Sequence, residues 1–147
     1  MTKRILVDGI ELDKEVVGVY KLLNSLPGVF TISSCSGHGY SDCGIVFTCT
    51  NFDSLKRITY AVFSLRYKCG NDFDTKSHLW VLNFLPRQDY PNGLILSIDW
   101  QEDVMMRRLR KVNMKAWDIL EDSLKEAKDK PLTAIRQIKD FYPQFVA

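Results

Sequence analysis

Little in this chain is extreme, and its shortages decide first. Histidine occurs twice and cysteine four times in 147 residues. Cys35, Cys43, Cys49 and Cys69 form no Cys-x-x-Cys pair, which argues against a structural zinc site. Gathering Cys35, His38, Cys43 and His78 into four ligands matches no standard zinc spacing either. No apolar run is long enough to span a bilayer. The opening segment MTKRILVDGIELDKE does not read as a signal peptide, because acids interrupt each apolar stretch. The four thiols are therefore expected to be reduced, in a cytoplasm. A net charge of +2 is too small to demand a nucleic-acid or membrane surface. Repeats, low-complexity segments and interdomain linkers are missing. What remains is one domain, residues 1–147, able to bury a real core. Its 46% apolar and 26% charged residues place it in the ordinary soluble globular class.

The pattern along the chain predicts alternating strands and helices. RILVDGIEL sets Asp8-Gly9 between two apolar triplets, a strong short hairpin signal. Asp13 is then expected to cap a helix running to Leu26, with Val16, Val17, Tyr20, Leu23 and Leu26 on its apolar face. Pro27-Gly28 should end it. VFTISS and GIVFTCT read as strands. Thr50 or Asn51 should cap the next helix, which carries Leu55, Ile58, Val62 and Leu65 on one side. HLWVLNFL and LILSIDW read as two further strands around the turn-rich PRQDYPNG. HLWVLNFL is apolar at nearly every position, which suggests burial on both faces, by helices or by a second subunit. A long helix is expected from Glu102 to Lys128, with Met105, Leu109, Val112, Ala116, Trp117, Leu120 and Leu124 as its buried stripe. Pro131 fits the first turn of a last helix carrying Leu132, Ile135, Ile138 and Phe141. The expected fold is α+β: a mostly antiparallel sheet within residues 1–100, with packed helices and a C-terminal helical pair in 102–147.

One stretch concentrates chemistry-bearing residues. TISSCSGHGYSDCG, residues 31–44, holds four serines, two cysteines, three glycines and His38. A cysteine nucleophile would need a cation or base beside Cys35, and His38 is three residues away. No third group declares itself as an orienter for that pair. An anion cradle is the better functional reading. Gly37 and Gly39 permit positive φ and close backbone approach, so successive N–H groups can surround a phosphate. Ser33, Ser34 and Ser36 would add hydroxyls, and His38 a switchable donor. The plain alternative is a glycine-rich hairpin whose serines satisfy their own backbone.

MMRRLRKVNMK supports the cradle. It places Arg107, Arg108, Arg110, Lys111 and Lys115 in one segment without an acid. Arginine forks suit phosphate geometry, although a solvated basic face has the same composition. Trp80, Phe84, Tyr90 and Trp100 lie on or between the last two strands. Tyr90 is the least core-like, beside the turn residues Pro91, Asn92 and Gly93, and is the candidate to stack a base.

Residues 31–37, TISSCSG, are similar to the Thr-x-Ser-Ser-Cys-Ser-Gly signature of the wybutosine-synthesis N4-methyltransferase family. That family modifies tRNA with S-adenosylmethionine, and its signature continues with arginine where this chain has His38. The longer run LNSLPGVFTISSCSGHG resembles small phage and bacterial proteins of unassigned function that carry a Leu-Pro-Gly…Ser-Cys-x-Gly-His-Gly string. The second resemblance implies that Ser33, Ser34, Cys35, Ser36, Gly37 and His38 belong to a ligand pocket. By analogy with small phage α+β oligomers, it also suggests a sponge that sequesters a cyclic nucleotide immune signal. The expectation is therefore non-catalytic binding of a phosphorylated small molecule, a nucleotide, by a cytoplasmic homo-oligomer without a cofactor. The bound surface would comprise the six loop residues with Tyr90, Arg107, Arg108, Arg110 and Lys111. The rival expectation is an S-adenosylmethionine-dependent tRNA-modifying enzyme. Against it stand the missing Gly-x-Gly-x-x-Gly fingerprint and the lack of a clear acid–base pair.

Overall fold

The computed structural model describes residues 4–35, 44–69, 78–85, 94–102 and 113–135. It shows an α+β chain in which a pair of antiparallel strands is followed by a helix, three times over. The first pair is β1 (Arg4–Val7) and β2 (Ile10–Asp13), joined by Asp8 and Gly9. Both joining residues have positive φ, 50° and 80°. A two-residue hairpin with the strands' own twist requires this, and Asp-Gly supplies it cheaply.

The helix that follows does not begin as expected. Asp13 makes no capping hydrogen bond, and a 3-10 turn (Lys14–Val16) precedes α1 (Val17–Ser25). Asp13 faces Arg4 across the hairpin, and its buried carboxylate lies 3.5 Å from Arg4 Nε. The guanidinium, not the helix terminus, has taken the carboxylate. Pro27-Gly28 does end this segment. Gly28 has φ 72°, and its carbonyl accepts the Thr50 N–H at 2.9 Å.

The remaining strands form a single four-stranded antiparallel sheet in the order β3-β4-β6-β5. These are β3 (Val29–Cys35), β4 (Gly44–Cys49), β5 (His78–Leu85) and β6 (Leu94–Glu102). Ile45, Phe47 and Cys49 alternate into the core from β4, opposite Ile98, Leu96 and Leu94 on β6. The described helices, α1, α2 (Phe52–Cys69) and α3 (Asn113–Asp129), pack together against this face. Asn51 is the N-cap of α2, its Oδ1 accepting the Ser54 N–H at 3.0 Å. Ile58, Val62 and Leu65 are buried from α2, and Trp117, Leu120 and Leu124 from α3. Trp117 meets Trp80 of β5 edge-on, with centroids 4.9 Å apart. Full burial of a side chain such as Phe47 contributes roughly 3 kcal/mol. Arg57 of α2 ties the helices together by donating to the carbonyls of Ala127, Lys128 and Lys130 at the end of α3. Asn24 of α1 ties helix to sheet. Its Oδ1 accepts the Thr31 N–H at 3.1 Å, and its Nδ2 donates to Thr31 Oγ1 at 2.9 Å.

Three expectations change. HLWVLNFL is the edge strand β5, not a strand buried on both faces, and Phe84 is 60% exposed. The doubly buried run belongs to the inner strand β6, where Ile95, Leu96, Ser97 and Ile98 are all buried. Glu102 closes β6 rather than opening a helix, and the helix is described from Asn113. Pro131 does not enter an α-helix. It precedes a 3-10 turn (Leu132–Ala134), after which Ile135 is extended at φ −79° and ψ 116°. The expected C-terminal pair is thus represented among the described residues by α3 alone. Met105, Leu109, Val112, Ile138 and Phe141 lie outside them.

Candidate functional site

The described part of the candidate site is the sheet face opposite the helices, at the end where β3 stops and β4 starts. The local sequence sets this geometry through a bulge. Thr31 pairs with Phe47, but Ser33 pairs with Val46, so Ile32 is the extra residue in β3. Without the bulge, Ser33 would follow Thr31 toward α1 in the strict alternation of a strand. With it, Ser33 shares the outer face with Val46, and Ser34 stands opposite core-facing Ile45. Bulges re-aim side chains in this way, and they are common beside binding sites. Ser33 is exposed and Ser34 half-buried.

The register carries this face across the sheet. Ser33, Val46, Ser97 and Asn83 form one row of neighbours. Cys35, Gly44, Asp99 and Val81 form the next. Three polar side chains meet here. Asn83 Nδ2 donates to Asp99 Oδ2 at 2.8 Å, and Ser97 Oγ donates to the same oxygen at 2.6 Å. Ser97 is buried and Asp99 half-buried. The other carboxylate oxygen lies over Gly44, in the space that a Cβ at that position would take. A side chain at position 44 would have to displace the carboxylate above it, and no unusual backbone angle is involved.

Of the residues that the sequence singles out, the structure describes Ser33, Ser34 and the backbone of Cys35. Ser36, Gly37, His38, Tyr90, Arg107, Arg108, Arg110 and Lys111 lie outside the described residues. Their flanking strand ends are described. Of Cys35 and Gly44, which bracket the loop, Gly44 lies beside Asp99 on β6 and Cys35 is on the far side of Gly44. β6 continues past Asp99 to Glu102, from which the chain leads on to the basic segment. The strand ends that lead to the loop and toward the basic segment thus lie at the same end of the sheet. The connection that holds Tyr90 is bracketed by Leu85 and Leu94 at the other end, where Leu94 pairs with Cys49. Five residue steps along β4, from Gly44 to Cys49, separate the two ends, roughly 17 Å.

Asp99, Asn83, Ser97 and Gly44 are absent from the sequence-based list. Each looks ordinary in LNFL, LSIDW and CGIVF, and only strand order brings them together. The one available signal was an aspartate and a serine inside an otherwise apolar strand.

Cys49 is a buried free thiol. Burial pushes its pKa up, and its thiol donates to the Asn51 carbonyl at 3.2 Å. It packs in the core and faces away from the site. Among the described residues, no three His, Cys, Asp or Glu side chains are grouped to hold a metal ion. No described helix is long and apolar enough to cross a membrane. No family model, curated protein or solved structure matches this chain.

Proposed function

We propose that the protein binds a phosphorylated small molecule, a nucleotide, without chemical turnover. The observation that carries this reading is the common departure point of two segments. The glycine- and serine-rich loop of residues 36–43 and the chain leading to Arg107, Arg108, Arg110 and Lys111 leave the same end of one sheet. Backbone N–H groups and short hydroxyls in the loop would hold the phosphate, and the arginines would neutralise it. The bulge at Ile32 supports the reading, because it turns Ser33 onto the face beside this end. A homo-oligomer that sequesters a nucleotide signal, as a phage sponge would, is the biological role that this chemistry suits.

Calorimetric titration of linear and cyclic nucleotides, and separately of bulk tRNA, at two salt concentrations tests the proposal. A compact nucleotide makes few ion contacts, so its affinity should fall only modestly with salt. Within the loop, Gly37→Val should abolish binding, His38→Ala should weaken it, and Cys35→Ser should leave it intact. Tight, steeply salt-dependent tRNA binding without nucleotide binding would favour the S-adenosylmethionine-dependent tRNA-modifying enzyme instead. Unchanged affinity in all three variants would reduce the loop to a turn.

A further inference from the structure

We propose that Asp99 is a ligand-binding residue that receives the ribose hydroxyls of the bound nucleotide, an inference that rests on the nucleotide-binding reading above. The argument starts from orientation. A carboxylate on an exposed strand position rotates freely, but this one accepts hydrogen bonds from Asn83 and Ser97 on a single oxygen, Oδ2. Ser97 is 3% exposed, so its hydroxyl depends on that bond. The second oxygen, Oδ1, is thereby held over Gly44. Because Gly44 has no side chain, nothing from β4 at that register position stands between Asp99 and the end of β3. Asp99 therefore overlooks the point where Cys35 and Gly44 bracket the loop, and Ser33 occupies the neighbouring row of the same face.

Charge then selects the partner. A carboxylate repels phosphate, so it cannot share the phosphate's immediate site. The part of the ligand that meets Asp99 must donate hydrogen bonds and carry no negative charge. In a ribonucleotide whose 2′ and 3′ positions are free, ribose is covalently next to the phosphate and presents two adjacent hydroxyls, which one carboxylate can accept together. The base lies farther from the phosphate. The surrounding groups are also sugar-like in their demands: Ser33 and Asn83 are neutral, with donor and acceptor capacity.

The test uses the full chain and calorimetric titration with the 5′-monophosphates of the four common ribonucleosides, beside their 2′,3′-dideoxy counterparts. For at least one base, the wild type should bind the ribonucleotide about tenfold or more tightly than the dideoxynucleotide, because the latter leaves Asp99 unpaired. Asp99→Asn should shrink that ratio to about threefold or less, with dideoxynucleotide affinity unchanged. Asn83→Ala keeps the carboxylate but releases it, and should lower ribonucleotide affinity alone. The wild-type comparison needs no variant to fold. Equal wild-type affinity for the two sugars would overturn the role of Asp99 and leave nucleotide binding standing. Failure of every 5′-monophosphate to bind would overturn this inference, and failure of the cyclic nucleotides as well would overturn the nucleotide reading.

Discussion

Replacing Gly44 with alanine sets two described groups against each other. The new Cβ would occupy the place of Asp99 Oδ1 and would stand 3.0 Å from the Ile98 carbonyl oxygen. The carbonyl belongs to the β4–β6 ladder and can give only slightly. The carboxylate is a side chain and can swing away, but only by leaving Asn83 and Ser97. Each of those bonds is charge-assisted and worth about 1.5 kcal/mol at the low end. Removing the backbone freedom of a glycine from the unfolded chain returns about 0.5 kcal/mol. Gly44→Ala should therefore destabilise the fold by about 2–3 kcal/mol. In an Asp99→Ala background the same substitution meets only the carbonyl contact and should cost about 1 kcal/mol or less. Urea unfolding of the four proteins in this cycle gives the coupling directly, provided the slope with denaturant stays constant. An equal cost of Gly44→Ala in both backgrounds would refute the argument, because the carboxylate would then not be what excludes a Cβ.

Two further predictions concern the rest of the fold. Arg57→Ala removes one guanidinium from three carbonyls at the end of α3, and should cost about 2 kcal/mol in urea unfolding, with Arg57→Lys recovering part of it. A loss below about 0.5 kcal/mol would mean that water replaces the cap without penalty. Cys49 should resist alkylation in the native chain at mildly alkaline pH and react after unfolding, because burial raises its thiol pKa and closes access. Rapid labelling of native Cys49, seen by peptide mass spectrometry, would contradict that placement.

Local physics made much of the fold legible in the sequence. Asp8-Gly9 announces its hairpin because few other residues accept two consecutive positive φ values. Asn51 announces α2 because its side chain reaches a backbone N–H three residues ahead. The alternation of Ile45, Phe47 and Cys49 shows which face of β4 is buried. Asp13 misled for an instructive reason. It has the composition of a helix cap, but a hairpin across the turn gave it an arginine instead. The nearly all-apolar β5 misled because apolar content reports hydrophobicity, whereas position in the sheet is set by which strands pair. The candidate site divides along the same line. Ser33 and Ser34 could be picked out because they sit in a run of unusual residues. Asp99 could not, since its meaning comes from Gly44, fifty-five positions earlier in the chain and adjacent only through β4–β6 pairing.

Asn24 has a consequence for how copies of this protein can meet. β3 is one edge of the sheet, and a foreign strand joining there would need the backbone N–H of Thr31, which Asn24 already holds. A newcomer would have to break both Asn24 bonds to Thr31 to gain one of its own. At this register position the margin of the described sheet is already stitched to α1, so an incoming strand would find its donor spoken for.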